Sequence, residues 1–141
     1  MLLLPAGEME KVRQQAESAY PTECCGLLIG LDGNERRVEE ARPCLNAAPD
    51  MARVRYKIHP LALLETEKEL LGSERMILGI YHSHPDYPTS PSQIDFEHAW
   101  PWYSYLILSV KRGHLEEAAS WRLASDMSEF RREELRVLEA A

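Results

Sequence analysis

His82 and His84 flank Ser83 at the end of the apolar run "RMILGIYHSH" (75–84). In a strand, alternate residues project to the same face, so the two imidazoles point together and Ser83 points away. Two neutral imidazoles side by side can share a metal ion, although an isolated H-x-H pair reads more readily as two structural histidines. The residues that follow extend the set. Pro85, Pro88 and Pro91 stiffen a loop leaving the strand end. Ser90 then reads as a helix N-cap, with Pro91 at the first helical position and Gln93 closing a capping box. A helix beginning there puts Ser92 and Asp95 three residues apart on one face. Asp95 can then meet His82 and His84 over the strand end. Two imidazoles and one carboxylate suit zinc at about 2.0–2.2 Å and leave a fourth position for water, the pattern of catalytic rather than structural zinc sites.

A hydrolytic zinc site also needs a base that takes the water's proton and passes it to the leaving group. Glu23, in "YPTECCGLLIG", is the candidate, and a solvated strand end is the competing reading. Ser92 can stabilise developing negative charge near the metal or simply cap its helix. Cys24, Cys25 and Cys44 are odd in number, with two adjacent and no C-x-x-C spacing, so they form no disulfide framework. Cys25 reads as a buried small hydrophobe, while Cys24, next to Glu23, is given no role. His98, three residues after Asp95, can approach the site from the same helix but is read as structural, and His59 and His114 carry no chemistry. Trp100, Trp102, Tyr103 and Tyr105 read as core and strand packing, or as one wall of the cleft.

Several elements must hold these residues. Met9, Val12, Ala16 and Ala19 give helical spacing over residues 7–20, closed by Pro21. "CGLLIGL" (25–31) is a continuous apolar run, expected as a buried strand, and Asp32-Gly33-Asn34 turns it into a returning strand, "ERRVEEARP". "RVRYKI" (53–58) alternates, with Val54, Tyr56 and Ile58 on one face, and predicts a further strand. Pro60 opens a helix over "PLALLETEKELL" that stops at Gly72. "SYLILSV" (104–110) and "EEAASWRL" (116–123) predict a strand pair around Lys111-Arg112-Gly113-His114. "SEFRREELRVLEA" predicts a final amphipathic helix presenting Phe130, Leu135 and Leu138. Strands and helices mix without regular alternation, so the expected class is α+β, or an irregular α/β.

The chain has 141 residues, 45% hydrophobic and 28% charged, which suits a single domain over residues 1–141 with its own core. A formal net charge of −7 opposes binding to nucleic acid. No apolar run approaches the roughly 20 residues of a membrane helix, and "MLLLP" is too short for a signal peptide. A cytoplasmic protein without membrane contact is expected.

The motif resembles a known family. His82-Ser83-His84, seven residues, Ser92, two residues and Asp95 reproduce the H-[ST]-H-x7-S-x-x-D signature of the JAMM (MPN+) metalloproteases, the active branch of the Mov34/MPN/PAD-1 domains. Glu23 before "GLLIG" sits where those proteins carry their glutamate. Element order resembles that fold from the first helix to about Leu123, which implies a central, mostly antiparallel sheet flanked by helices. Position by position, the resemblance implies that His82, His84 and Asp95 bind one Zn2+. It makes Glu23 the general base and acid, and Ser92 the donor to the oxyanion. Only Phe96 to Tyr103 separate Asp95 from the next strand, leaving no room for the segments with which eukaryotic deubiquitinases grip two ubiquitins. The compact chain is similar to bacterial members of the CysO-cysteine peptidase type. That likeness implies hydrolysis of the amide after the C-terminal Gly-Gly of a ubiquitin-like sulfur-carrier protein.

Other readings stay open beside it. A non-enzymatic MPN interaction module or an isopeptidase of other specificity would use the same fold. Metallo-β-lactamase-like hydrolases use H-x-H-x-D-H, approached here by His82, His84 and Asp86, but Tyr87 replaces the last histidine. Oligomeric state and the carrier's identity are not encoded in any feature of the chain.

Overall fold

Apolar runs too continuous for a half-solvated strand form the middle of an eight-stranded sheet. The computed structural model describes residues 1–48, 52–53 and 55–139. In chain order the elements are β1 (Leu2–Pro5), α1 (Ala6–Ala19), β2 (Cys25–Leu31), β3 (Arg36–Cys44), α2 (Pro60–Leu70) and β4 (Met76–Pro85). They continue with α3 (Gln93–Glu97), β5 (Ser104–Lys111), β6 (His114–Leu123), β7 (Phe130–Glu133) and β8 (Leu135–Leu138). The strand order is β7-β6-β5-β4-β2-β3-β1-β8. Pairs β4–β5, β1–β3 and β1–β8 are parallel, and the other four are antiparallel. The class is therefore α+β, with antiparallel pairing in the majority, as expected.

Core packs on both faces. On one side, Val12 and Ala16 of α1 cover Leu4, Leu28, Val38, Leu78 and Leu106. On the other, Leu70 of α2 joins Leu27, Ile29, Ile77, Ile80 and Tyr105. Strand β2 contributes to both clusters, which is why its sequence is continuous rather than alternating. Gly26 is required inside it, because a Cβ there would run into the ring of the fully buried Tyr81 on β4. The β5–β6 hairpin turns through Arg112 (φ 53°) and Gly113 (φ 86°), both in the left-handed region that a two-residue hairpin turn uses. Gly72, at φ 82°, follows the last turn of α2.

Two expectations fail. The segment from Phe130 to Leu138 is not a helix but the strands β7 and β8, separated only by Glu134 and lying at opposite ends of the strand order. The sheet must therefore curl until its two edges converge at Glu134, whose carbonyl accepts the Leu2 N–H at 2.8 Å. Leu135 and Leu138 stand at helical spacing, three apart, but pairing with the distant β1 and β6 overrides that local pattern. The segment 55–59 likewise forms no strand. Its alternation does bury Ile58 and packs Tyr56 on the core, but the Asn46 side chain and one backbone bond, from the Ala47 N–H to the Lys57 carbonyl, take the place of a strand ladder, while Val54 lies outside the described residues. Strand β1, which the sequence did not announce, is almost wholly buried between β3 and β8.

Candidate metal centre

Strand β4 lies between β2 and β5, with His82 opposite Cys25 on one side and Ile107 on the other. Its C-terminal end is therefore rigid, and the period of two brings the imidazoles together, their Nε2 atoms 3.1 Å apart. Asp95 closes the group: Oδ1 lies 3.2 Å from His82 Nε2 and Oδ2 lies 3.0 Å from His84 Nε2. Among the described residues this is the one cluster of at least three His, Cys, Asp or Glu side chains spaced to hold a metal ion. Donors held about 2.0–2.2 Å from a tetrahedral ion stand roughly 3.3–3.6 Å apart, so the observed spacing is slightly contracted and fits such an ion. The His84 Nδ1–H donates to the Pro88 carbonyl at 2.7 Å, which turns Nε2 towards Asp95 and makes it the nitrogen that would ligate a metal on losing its proton. His82 Nδ1 is buried without a hydrogen-bond partner, and its ring instead stacks on Tyr56 with centroids 4.3 Å apart.

Asp95 arrives on α3, but not through the predicted cap. The N-cap is Ser92 rather than Ser90: its Oγ accepts the Asp95 N–H at 3.0 Å while Asp95 Oδ2 accepts the Ser92 N–H at 2.8 Å. A charged carboxylate at the third helical position is a stronger acceptor for the cap N–H than the Gln93 amide, so Ser90 and Pro91 stay in the lead-in. The same box locks the Asp95 side chain towards the histidines. Burial works against the charge of Asp95, but hydrogen bonds from His82 and His84 outweigh it and hold the carboxyl well below the usual range. Burial pulls His82 down, whereas for His84 the Asp95 carboxylate and the Pro88 carbonyl overcome burial and raise it.

Glu23 sits just before β2 and is 6% exposed. It lines a cleft of about 290 Å³ with His84, Tyr87, Pro88, Ser90 and Ser92. Its Oε1 is buried with no partner, and burial pushes the carboxyl up to about 8, opposed by His84 and reinforced by Asp95. A buried acceptor without a protein donor beside a three-donor group fits a site that holds water. Ser83, pointing to the other face, fastens this junction: its Oγ accepts the Cys24 N–H at 2.8 Å.

The remaining candidates separate clearly. Asp86 bonds Tyr20 Oη at 2.6 Å and the Arg112 N–H at 3.0 Å, so it stands outside the His–His–Asp group and the H-x-H-x-D reading fails. His59 caps α2 through Nδ1, and His98 is the residue after α3. Burial raises Cys24 to about 11 and Cys25 to about 12, so neither is a thiolate nucleophile at neutral pH. Tyr105 is core, as expected, but Trp100 and Trp102 are not: they stack 5.0 Å apart and are 50% and 54% exposed. With Arg55, Tyr56, Lys57 and Asp95 they line a groove of about 450 Å³ on the other flank of the triad. Sequence reasoning also missed Tyr56 as the backing of His82, and Asn46, whose contacts no local pattern announces.

The chain matches the family described as prokaryotic homologs of the JAB domain over residues 5–124. It is 36% identical to a protein named desampylase from Haloferax volcanii, over 72% of this chain and 72% of the relative. It is also 36% identical to a probable TtuB-protein conjugate cleaving protease from Thermus thermophilus, over 70% and 64% of the two chains. A CysO-cysteine peptidase from Mycobacterium tuberculosis is 27% identical over 87% and 83%. A solution structure from Desulfitobacterium hafniense superposes with a TM-score of 0.84 at 32% identity, covering 99% of this chain and 94% of that one. A JAB1/MPN domain protein from Archaeoglobus fulgidus, 18% identical, shares the fold with a TM-score of 0.60, covering 99% and 100%. With fold and site pattern in agreement with the match, this chain belongs to the family of prokaryotic homologs of the JAB domain.

Proposed function

We propose that this chain is a JAMM-type zinc isopeptidase. It would hydrolyse the amide after the C-terminal Gly-Gly of a ubiquitin-like sulfur-carrier protein and hold one zinc on His82, His84 and Asp95. The observation that carries this reading is three side chains, His82, His84 and Asp95, whose facing atoms lie 3.0–3.2 Å apart beside a cleft that contains the unpartnered Oε1 of Glu23. The names of the relatives, peptidases of protein conjugates or of CysO-cysteine, support the substrate class. Three free cysteines support a cytoplasmic setting, and no helix of the described residues is long and apolar enough to cross a membrane.

Zinc bound there supplies Lewis acidity, polarising the amide carbonyl and lowering the pKa of water towards ~7. Glu23 accepts the water's proton and returns it to the leaving amine. Ser92 accepts the Asp95 N–H with its lone pair, so its own O–H remains available to donate to the oxyanion. Because the leaving amine needs the Glu23 proton, it belongs in the cleft that Glu23 shares with Tyr87 and Ser90. The carrier tail then takes the groove on the other flank of Asp95, where glycines without side chains let the backbone approach the metal. Mass spectrometry of a carrier–cysteine adduct tests this. The wild type should release cysteine, and Glu23→Gln and chelated enzyme should not. Equal release by all three, or scattered cleavage of casein by the wild type, would overturn it.

A further inference from the structure

Glu23 has a difficulty as a base: among the described residues no side-chain hydrogen bond or ion pair orients its carboxylate, and Oε1 has no partner at all. Its position therefore depends on its backbone, and Glu23 lies two residues before the start of β2 at Cys25. Its carbonyl is held instead by a side chain, the Asn46 Nδ2, at 3.1 Å. The same Nδ2 donates to the Arg55 carbonyl at 3.1 Å, and Oδ1 accepts the N–H groups of Ala48 at 3.1 Å and Lys57 at 3.0 Å. Two donors and two lone pairs are the full capacity of an amide, and all four are used. Arg55 and Lys57 bracket Tyr56, the ring stacked on His82. One side chain thus joins the backbone under Glu23 to the segment that backs a histidine of the metal group.

We propose that Asn46 is a positioning residue for hydrolysis, a four-way clamp that fixes Glu23 relative to the metal group. The proposal rests on the isopeptidase reading above. It differs from a role in loop folding alone, because the contact that matters runs to the Glu23 carbonyl rather than within residues 46–57. Small displacements of a base are expensive in rate: a misplacement of about 1 Å can cost ~10²-fold.

A double-mutant cycle on zinc-loaded enzyme with the carrier–cysteine adduct provides the test. Asn46→Ala should retain zinc and a KM within about twofold of wild type while kcat falls ~10–100-fold. On the Glu23→Gln background, Asn46→Ala should lower kcat no further. Asn46→Asp keeps the acceptor for Ala48 and Lys57 but cannot donate to Glu23, so its kcat should fall as well. It also serves as the reporter should the alanine variant fail to fold. In metal-free protein, the Lys57 amide should exchange with solvent faster in Asn46→Ala than in wild type. A normal kcat in Asn46→Ala or Asn46→Asp, or losses that multiply with Glu23→Gln, would remove the role of Asn46 alone. A wild type that does not turn the adduct over would remove the isopeptidase reading beneath it.

Discussion

Burying a carboxylate costs free energy unless it is paired, and Glu23 combines burial with an unpartnered oxygen. A fold keeps such a group when chemistry needs it. Two consequences are measurable. Glu23→Gln should keep metal affinity near normal while activity falls ~10²–10⁴-fold, since glutamine cannot carry the proton. Release of metal by this variant, measured by elemental analysis, would make Glu23 a ligand instead of a base. The second consequence is a stability effect in metal-free protein. Burial raises the folded-state value to about 8, above the ordinary 4.5, so between those values the folded state holds a proton that the unfolded chain has released. Glu23 therefore lowers stability progressively as pH rises from about 4.5 to about 8. Burial lowers His82, and against burial the Asp95 carboxylate raises His84, so the comparison must be between wild type and Glu23→Gln. The variant should melt higher at pH 8 by at least ~3 °C, with the gap closing towards pH 5. A constant gap would mean that Glu23 ionises normally. The sequence offers Glu23 as a candidate base, but only the family pattern sets it above a solvated strand end, because nothing local tells the two apart. Asn46 was out of reach altogether, since its partners lie as far as 23 residues away.

Helix α3 spans only five residues, Gln93–Glu97, yet it sets both Ser92 and Asp95. An isolated helix of that length is unstable, so its capping box matters more than its propensity. Ser92 serves twice, as acceptor for the Asp95 N–H and as the proposed donor to the oxyanion. Ser92→Ala should thus cost about 1 kcal/mol of stability and ~10²–10³ in kcat. Ser92→Thr keeps acceptor and donor and should recover most of both. Thermal melts and kcat on the same adduct decide, and an Ser92→Ala enzyme of normal kcat would leave capping as the whole role. The serine–aspartate spacing is visible in the sequence, but Pro91, a good first helical residue, draws the expected cap to Ser90, two residues early. Strands β2, β4 and β5 agree with their apolar runs to within a residue or so, since burial on both faces leaves a dense local signal. Edge strands β7 and β8 give no such signal, as their exposed middles carry charge and their partners are remote.

At the scale of the molecule, the triad divides two clefts of different character. The one with Glu23 is small, about 290 Å³, and suits a compact leaving group such as cysteine or a lysine side chain. The other, about 450 Å³, carries Arg55 and Lys57 opposite Trp100 and Trp102, a cationic and aromatic wall on a chain whose net charge is −7. Exposed tryptophans next to a reactive centre are contact surface rather than core, since their rings can bury area against a partner at little entropic cost. With the carrier tail placed as proposed, such a wall would meet the carrier before and after reaction alike, so its contacts would be uniform in ground and transition state. Removing them should raise KM and leave kcat nearly unchanged. Trp102→Ala is therefore expected to raise KM for the carrier–cysteine adduct by ~10-fold or more, in line with the loss of one well-placed aromatic contact. Zinc content and the turnover of saturated enzyme should stay at wild-type levels. A short Gly-Gly-amide substrate that cannot reach the wall should be cleaved equally by both enzymes. A fall in kcat with KM unchanged would place Trp102 at the chemistry, and equal KM values on the full carrier would mean that the tail takes another route to the metal.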